Sequence, residues 1–134
     1  MKKGIIIIML FISISSCKND DDVMPNLVAN KEFVFALVSS QEECDFLISQ
    51  GVNCSQSINF LDHLNARIIV TDIANAGTYT LNENTITITI DSPGDAENPM
   101  IFEANSDFSE LIRVSDGSND IWKLQIEGVS PWDL

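Results

Sequence analysis

The run Thr85-Ile86-Thr87-Ile88-Thr89-Ile90 alternates apolar and hydroxyl side chains without a break. An extended chain, with its period of two, puts Ile86, Ile88 and Ile90 on one buried face and the threonines on a wetted one. A helix of the same sequence would scatter the isoleucines around its circumference. Other segments agree. From Ser57 onward turn signals recur every ten residues or so, a spacing of about 8–12 residues being the mark of an all-β domain. Ser57 to Leu61 and Ala66 to Thr71 read as strands around the turn Asp62-His63-Leu64-Asn65, and Thr78 to Leu81 and Thr85 to Asp91 as strands around Asn82-Glu83-Asn84. Ser92 to Pro99 is a loop by composition, and Met100 to Ala104, Phe108 to Val114 and Ile121 to Ile126 are three further strands. In the last of these Trp122, Leu124 and Ile126 alternate with Lys123 and Gln125.

Upstream, Phe33 to Val38 is rich in aromatic and β-branched residues and reads as the first strand. Ser40 with Glu43 three places on matches a capping box, and Glu42, Glu43 and Asp45 suit the positive end of a helix. The pattern predicts one short helix from Gln41 to Gln50, stopped by Gly51, with Cys44, Leu47 and Ile48 on its core face. Eight short strands joined by tight turns predict an antiparallel meander. Eight is the number that closes an up-and-down barrel and removes exposed edges, while a two-sheet sandwich satisfies the same strand count.

The N-terminus carries an address. Lys2 and Lys3 precede an apolar stretch, Gly4 to Ile14, that is too short to span a bilayer as a mature helix, which is the pattern of an export signal. Ser15 and Ser16 then stand directly before Cys17. Ile14-Ser15-Ser16-Cys17 resembles the lipobox of bacterial lipoproteins. The resemblance implies cleavage before Cys17 and acylation of its thiol and new amine, with a stable hold on a membrane, since several acyl chains anchor where one does so only marginally. Lys18-Asn19-Asp20-Asp21-Asp22 is similar to the lysine-plus-acidic export tags of surface lipoproteins in Bacteroidetes-type Gram-negative bacteria. That implies the outer membrane, facing the cell exterior; read as residues alone, the run is a solvated acidic tether. The organisation expected is a signal peptide over 1–16, a lipidated cysteine and tether over 17–30, and a β domain over 31–134.

Twenty acidic residues face seven basic ones, two of which, Lys2 and Lys3, lie in the leader. Such a field repels nucleic acid and anionic headgroups, so nucleic-acid binding is excluded and membrane attachment falls to the lipid. With Cys17 acylated, Cys44 and Cys54 remain as a pair in an oxidising compartment. A disulfide between them is expected. A metal site is the competing use of two thiols, and neither a C-x-x-C spacing nor a nearby histidine accompanies them.

A second resemblance covers roughly Phe33 to Ile126. Cys54-Ser55-Gln56-Ser57-Ile58-Asn59-Phe60, then Gly77-Thr78-Tyr79-Thr80-Leu81 turning through Asn82-Glu83-Asn84 into Thr85-Ile86-Thr87-Ile88, then the late strand Phe108 to Val114, is similar to the lipocalin-like domain of small Bacteroidetes-type lipoproteins. The tryptophan usual in the first strand is absent here, and Phe33 or Phe35 takes its place. The resemblance implies a lipocalin-like barrel, and a shared fold does not by itself carry a ligand or a reaction.

Chemistry-bearing groups are few. His63 beside Asp62 is a conceivable base, set against a plain solvent-exposed turn residue. Asp91, Asp95 and Glu97 crowd one loop with oxygens suited to calcium, but they lack the spacing of an EF-hand. No serine lies in a nucleophile elbow and no glycine-rich phosphate loop exists, so no enzyme and no cofactor is expected. Phe35, Phe60, Tyr79, Phe102 and Trp122 fall on predicted strands and either line a cavity for one small ligand or fill the barrel themselves. The tail Val129 to Leu134 is a cap or a partner contact. Two functions follow: a surface-anchored binding module for a small apolar or glycan ligand, and an accessory envelope lipoprotein with a filled barrel that docks a protein partner.

Overall fold

Eight strands and one helix follow the chain in order: β1 (Glu32–Ala36), α1 (Gln41–Ser49), β2 (Ser55–Phe60), β3 (Asn65–Ile69), β4 (Ala74–Asn82), β5 (Thr85–Ile90), β6 (Met100–Ala104), β7 (Glu110–Arg113) and β8 (Ile121–Leu124). The computed structural model describes residues 26–70, 72–94 and 96–134, and the predicted leader, Cys17 and the acidic run lie outside them. Each strand pairs antiparallel with the next, and β1 closes on β8 through Phe33 opposite Leu124 and Val34 opposite Lys123. That last pairing makes a closed up-and-down barrel and rules out the sandwich.

The alternation in β5 holds: Ile86 and Ile88 are fully buried and Ile90 nearly so. Cross-strand register carries the same inward face around the barrel, with Ile88 opposite Tyr79, Ile86 opposite Phe102 and Leu111 opposite Trp122. β4 is longer than its propensity suggests. Ala74, Asn75 and Ala76 are weak strand formers, yet they pair with Ile69, Ile68 and Arg67 of β3, so the ladder extends the strand. Gly77 lies inside β4, and a Cβ on it would stand 2.5 Å from the main-chain oxygen of Thr89. The glycine permits the backbones to approach.

The observed strands are mostly shorter than expected, and Leu61, Ile126 and Phe108 are among the residues left outside them. Leu61 follows the end of β2 and Ile126 follows β8, 51% and 57% exposed, so neither contributes to the interior. Phe108 precedes β7 with a φ of +56° and folds its ring in from a turn. The folded unit also starts earlier than the composition of the linker suggests. Val28 is fully buried, and the Asn30 amide donates to Phe60 O at 2.7 Å, so residues 26–31 close one end of the barrel.

The helix begins and ends as its residues dictate. Ser40 Oγ accepts from the Glu43 amide, and Glu43 Oε2 accepts from the amide and hydroxyl of Ser39, one residue before the usual partner of a capping box. At the other end the Gly51 amide reaches Ile48 O at 2.9 Å and the Val52 amide reaches Leu47 O at 3.0 Å, with Gly51 at φ +76°. These are the two bonds of a Schellman motif. The predicted core face is corrected: Cys44 is buried, Leu47 half-buried, and Ile48 59% exposed. A nine-residue helix lying at the barrel mouth offers its core only one narrow stripe, and the disulfide fixes Cys44 as its centre.

Candidate functional site

The five residues expected to line a cavity do converge. Phe35, from β1, stacks on Trp122 with centroids 5.8 Å apart, and Phe102 meets the same indole edge-on at 5.6 Å. Phe60 meets Tyr79 at 4.6 Å and Phe33 at 5.9 Å, both edge to face. The arrangement follows from inward positions on neighbouring strands (β1 with β2 and β8) and on strands one apart (β2 with β4, β6 with β8), and it gives each ring the offset or perpendicular contact that its quadrupole favours. Phe33, Phe60, Phe102 and Trp122 have no exposed surface at all, and Tyr79 has 2%. A water-sized sphere therefore reaches the first four neither from outside nor from an inner void. These side chains fill the barrel. Trp122 Nε1 is buried without a hydrogen-bond partner among the described residues, an uncompensated cost of about 1–3 kcal/mol.

The end where the chain enters is latched by Asn26. Its Nδ2 donates to Tyr79 Oη at 2.8 Å, its Oδ1 accepts from the amides of Val28 and Ala29, and Tyr79 Oη donates to Asp62 O at 2.6 Å. Burial raises the Tyr79 phenol above its ordinary range, with the Asn26 bond opposing. Only an asparagine followed by the apolar pair Leu27-Val28 marks this latch in the local pattern.

His63 is exposed in the turn between β2 and β3, and no nucleophile stands near Asp62 among the described contacts. Asp62 is occupied with the turn itself: its carboxylate accepts from Asn65 Nδ2 and from the amides of Asn65 and Leu64, and these bonds hold its pKa below the usual carboxylate range. In the loop before β6, Glu97 Oε2 accepts from Arg113 Nη2 at 2.9 Å and from Ser115 Oγ at 2.8 Å, so that oxygen is already committed. Asp91 lies at the end of β5 and Asp95 outside the described residues. No group of three or more His, Cys, Asp or Glu side chains comes together to hold a metal among the described residues.

Arg113 was not singled out by the sequence. It takes the inward parity of Leu111, opposite Phe102, at the barrel mouth. Glu97 and Asp116 neutralise it; Nε lies 3.1 Å from Asp116 Oδ2, off the hydrogen-bond axis. Cys44 and Cys54 are joined, tying α1 to the start of β2. The C-terminal tail forms a 3-10 turn over Pro131–Asp133 against the outside of β1, with Lys123 Nζ donating to Leu134 O. It covers a flank of the barrel.

Exposed apolar side chains collect at the two ends. Leu27, Leu61 and Leu64 stand beside the Asn26 latch, and Leu37, Phe46, Ile48 and Val52 stand around α1 at the opposite mouth. No protein-family model, curated protein or solved structure matches this chain.

Proposed function

We propose that this chain is an exported lipoprotein, acylated at Cys17 and held at the outer membrane facing the exterior, whose barrel docks an envelope protein through its outside and catalyses nothing. The leader, the lipobox-like Ile14 to Cys17 and the run Lys18 to Asp22 support the address. The observation that carries the docking reading is the filled interior: the aromatic side chains that would line a ligand cavity are packed on one another, while large apolar residues remain outside. Kinship with the lipocalin-like lipoproteins belongs to the same proposal.

The reading in which the barrel holds a small apolar ligand has one observation in its favour, the unpartnered indole N–H of Trp122, which an acceptor on a ligand would satisfy. A fluorescent fatty acid separates the two. The docking reading expects no displaceable probe, and saturable binding that Trp122→Ala weakens overturns it. The address is tested by Cys17→Ala, which should free the protein from the membrane fraction; sedimentation of that variant with membranes at high salt overturns the lipid anchor. Replacing Asp20, Asp21 and Asp22 with alanine should leave acylation intact and end protease shaving on whole cells, and undiminished digestion reduces the run to a tether.

A further inference from the structure

Helix α1 is held in an unusual way. A helix of nine residues is not stable alone, and short helices in proteins persist by laying an apolar face on a core. Here only Cys44 is buried, while Phe46 is 64% exposed. The Cys44–Cys54 bond, the Ser40 cap and the Schellman turn at Gly51 fix the helix while Phe46 and Ile48 stay exposed and Leu47 is only half-buried. A covalent clamp has taken the place of packing.

Beside the helix, Leu37, Val38, Phe46 and Leu47 line a groove of about 690 Å³ with Glu42 and Glu43 on its rim. Two carboxylates and no basic side chain line it. Lys123 lines the neighbouring groove that shares Val38, its ammonium donating to Leu134 O, and Arg113 is neutralised by Glu97 and Asp116. The groove also lies at the end of the barrel opposite Asn26, where the chain leaves toward Cys17.

We propose that this groove docks a cationic amphipathic segment of a protein partner, with apolar side chains seated between Leu37 and Phe46 and Lys or Arg over Glu42 and Glu43. This rests on the docking reading above and names its surface and the chemistry of its partner. A second copy of this chain carries the same acidic field and is repelled, as is an anionic lipid surface. Burial of apolar side chains supplies affinity, and the opposed charges supply orientation and rate.

The probe is a peptide of alternating Lys and Leu pairs, with a counterpart in which every Lys is Gln. Each is titrated by calorimetry into the chain from residue 17 onward carrying Cys17→Ala. The Lys peptide should bind and the Gln peptide should not. Phe46→Ser should weaken binding about tenfold, as loss of a central anchor does, and Glu42→Gln severalfold. Leu64→Ser, at the opposite end, should change nothing. The near-ultraviolet signal of the two tryptophans checks that each variant is folded. Equal weakening by Phe46→Ser and Leu64→Ser would mean diffuse attraction to an acidic surface and overturns the proposal. Binding of the Gln peptide overturns the charge assignment, and no binding by either peptide overturns the groove. None of these outcomes touches the filled-barrel reading, which fails instead on fatty-acid uptake.

Discussion

The phenol of Tyr79 is held between two parts of the chain far apart in sequence, donating to Asp62 O and accepting from Asn26 Nδ2. It joins the segment that precedes β1 to the β2–β3 turn. Tyr79→Phe should leave both partners short of a bond at a half-buried site and lower stability by about 1–2 kcal/mol. Equilibrium urea denaturation measures it; an unchanged midpoint would show that water replaces the phenol without loss.

The same residue sets an alkaline limit. Its folded pKa is raised by burial, so the folded state keeps the proton more tightly than the unfolded chain does. The contribution is complete below the unfolded value of about 10 and fades as pH rises through the folded value. It is the only tyrosine, so tyrosinate absorbance reports this one group. Ionisation should coincide with loss of structure above pH of about 10, and a phenol titrating freely in a folded protein would contradict the latch.

Trp122 lies in contact with Phe35 and Phe102 and has no exposed surface. Trp122→Ala removes the largest side chain of the interior and should cost about 3–5 kcal/mol. Thermal or urea unfolding tests this, and a loss under about 1 kcal/mol would indicate a core that was never tightly filled.

Reduction of Cys44–Cys54 should act locally first. Cys44 does not belong to the barrel's core cluster, and α1 buries nothing else. Far-ultraviolet circular dichroism should lose its helical part while the tryptophan signal persists, with a stability loss of about 2–3 kcal/mol by loop entropy. Collapse of both signals together would make the disulfide part of the barrel's own support.

Gly77→Ala places a Cβ against Thr89 O, where backbone has to shift, and should destabilise by about 1–3 kcal/mol as overpacking does. Thr78→Ala, one residue on and facing outward, is the control and should cost much less. Equal effects of the two would remove the close approach as the reason for the glycine.

Local pattern by itself determined the strands, because a period of two in Ile86, Ile88 and Ile90 has one stable solution beside water. It also determined the helix ends, since Ser40 and Gly51 cap through bonds that span only a few residues. The pairing of Cys44 with Cys54 followed from counting thiols once Cys17 was set aside. What the tertiary structure decided depends on partners distant in the chain. Closure required Phe33 to meet Leu124, and strand count alone cannot distinguish that from two facing sheets. Val28 reads as linker until the open end of a barrel is there to receive it. Ala74 to Ala76 read as loop until β3 offers them a ladder. Arg113 is an ordinary strand residue until the loop bearing Glu97 folds over the mouth. The aromatic residues were legible as inward-facing, but whether they line a void or fill it is set by the distances between strands brought together by closure, and those distances seat one ring against the next.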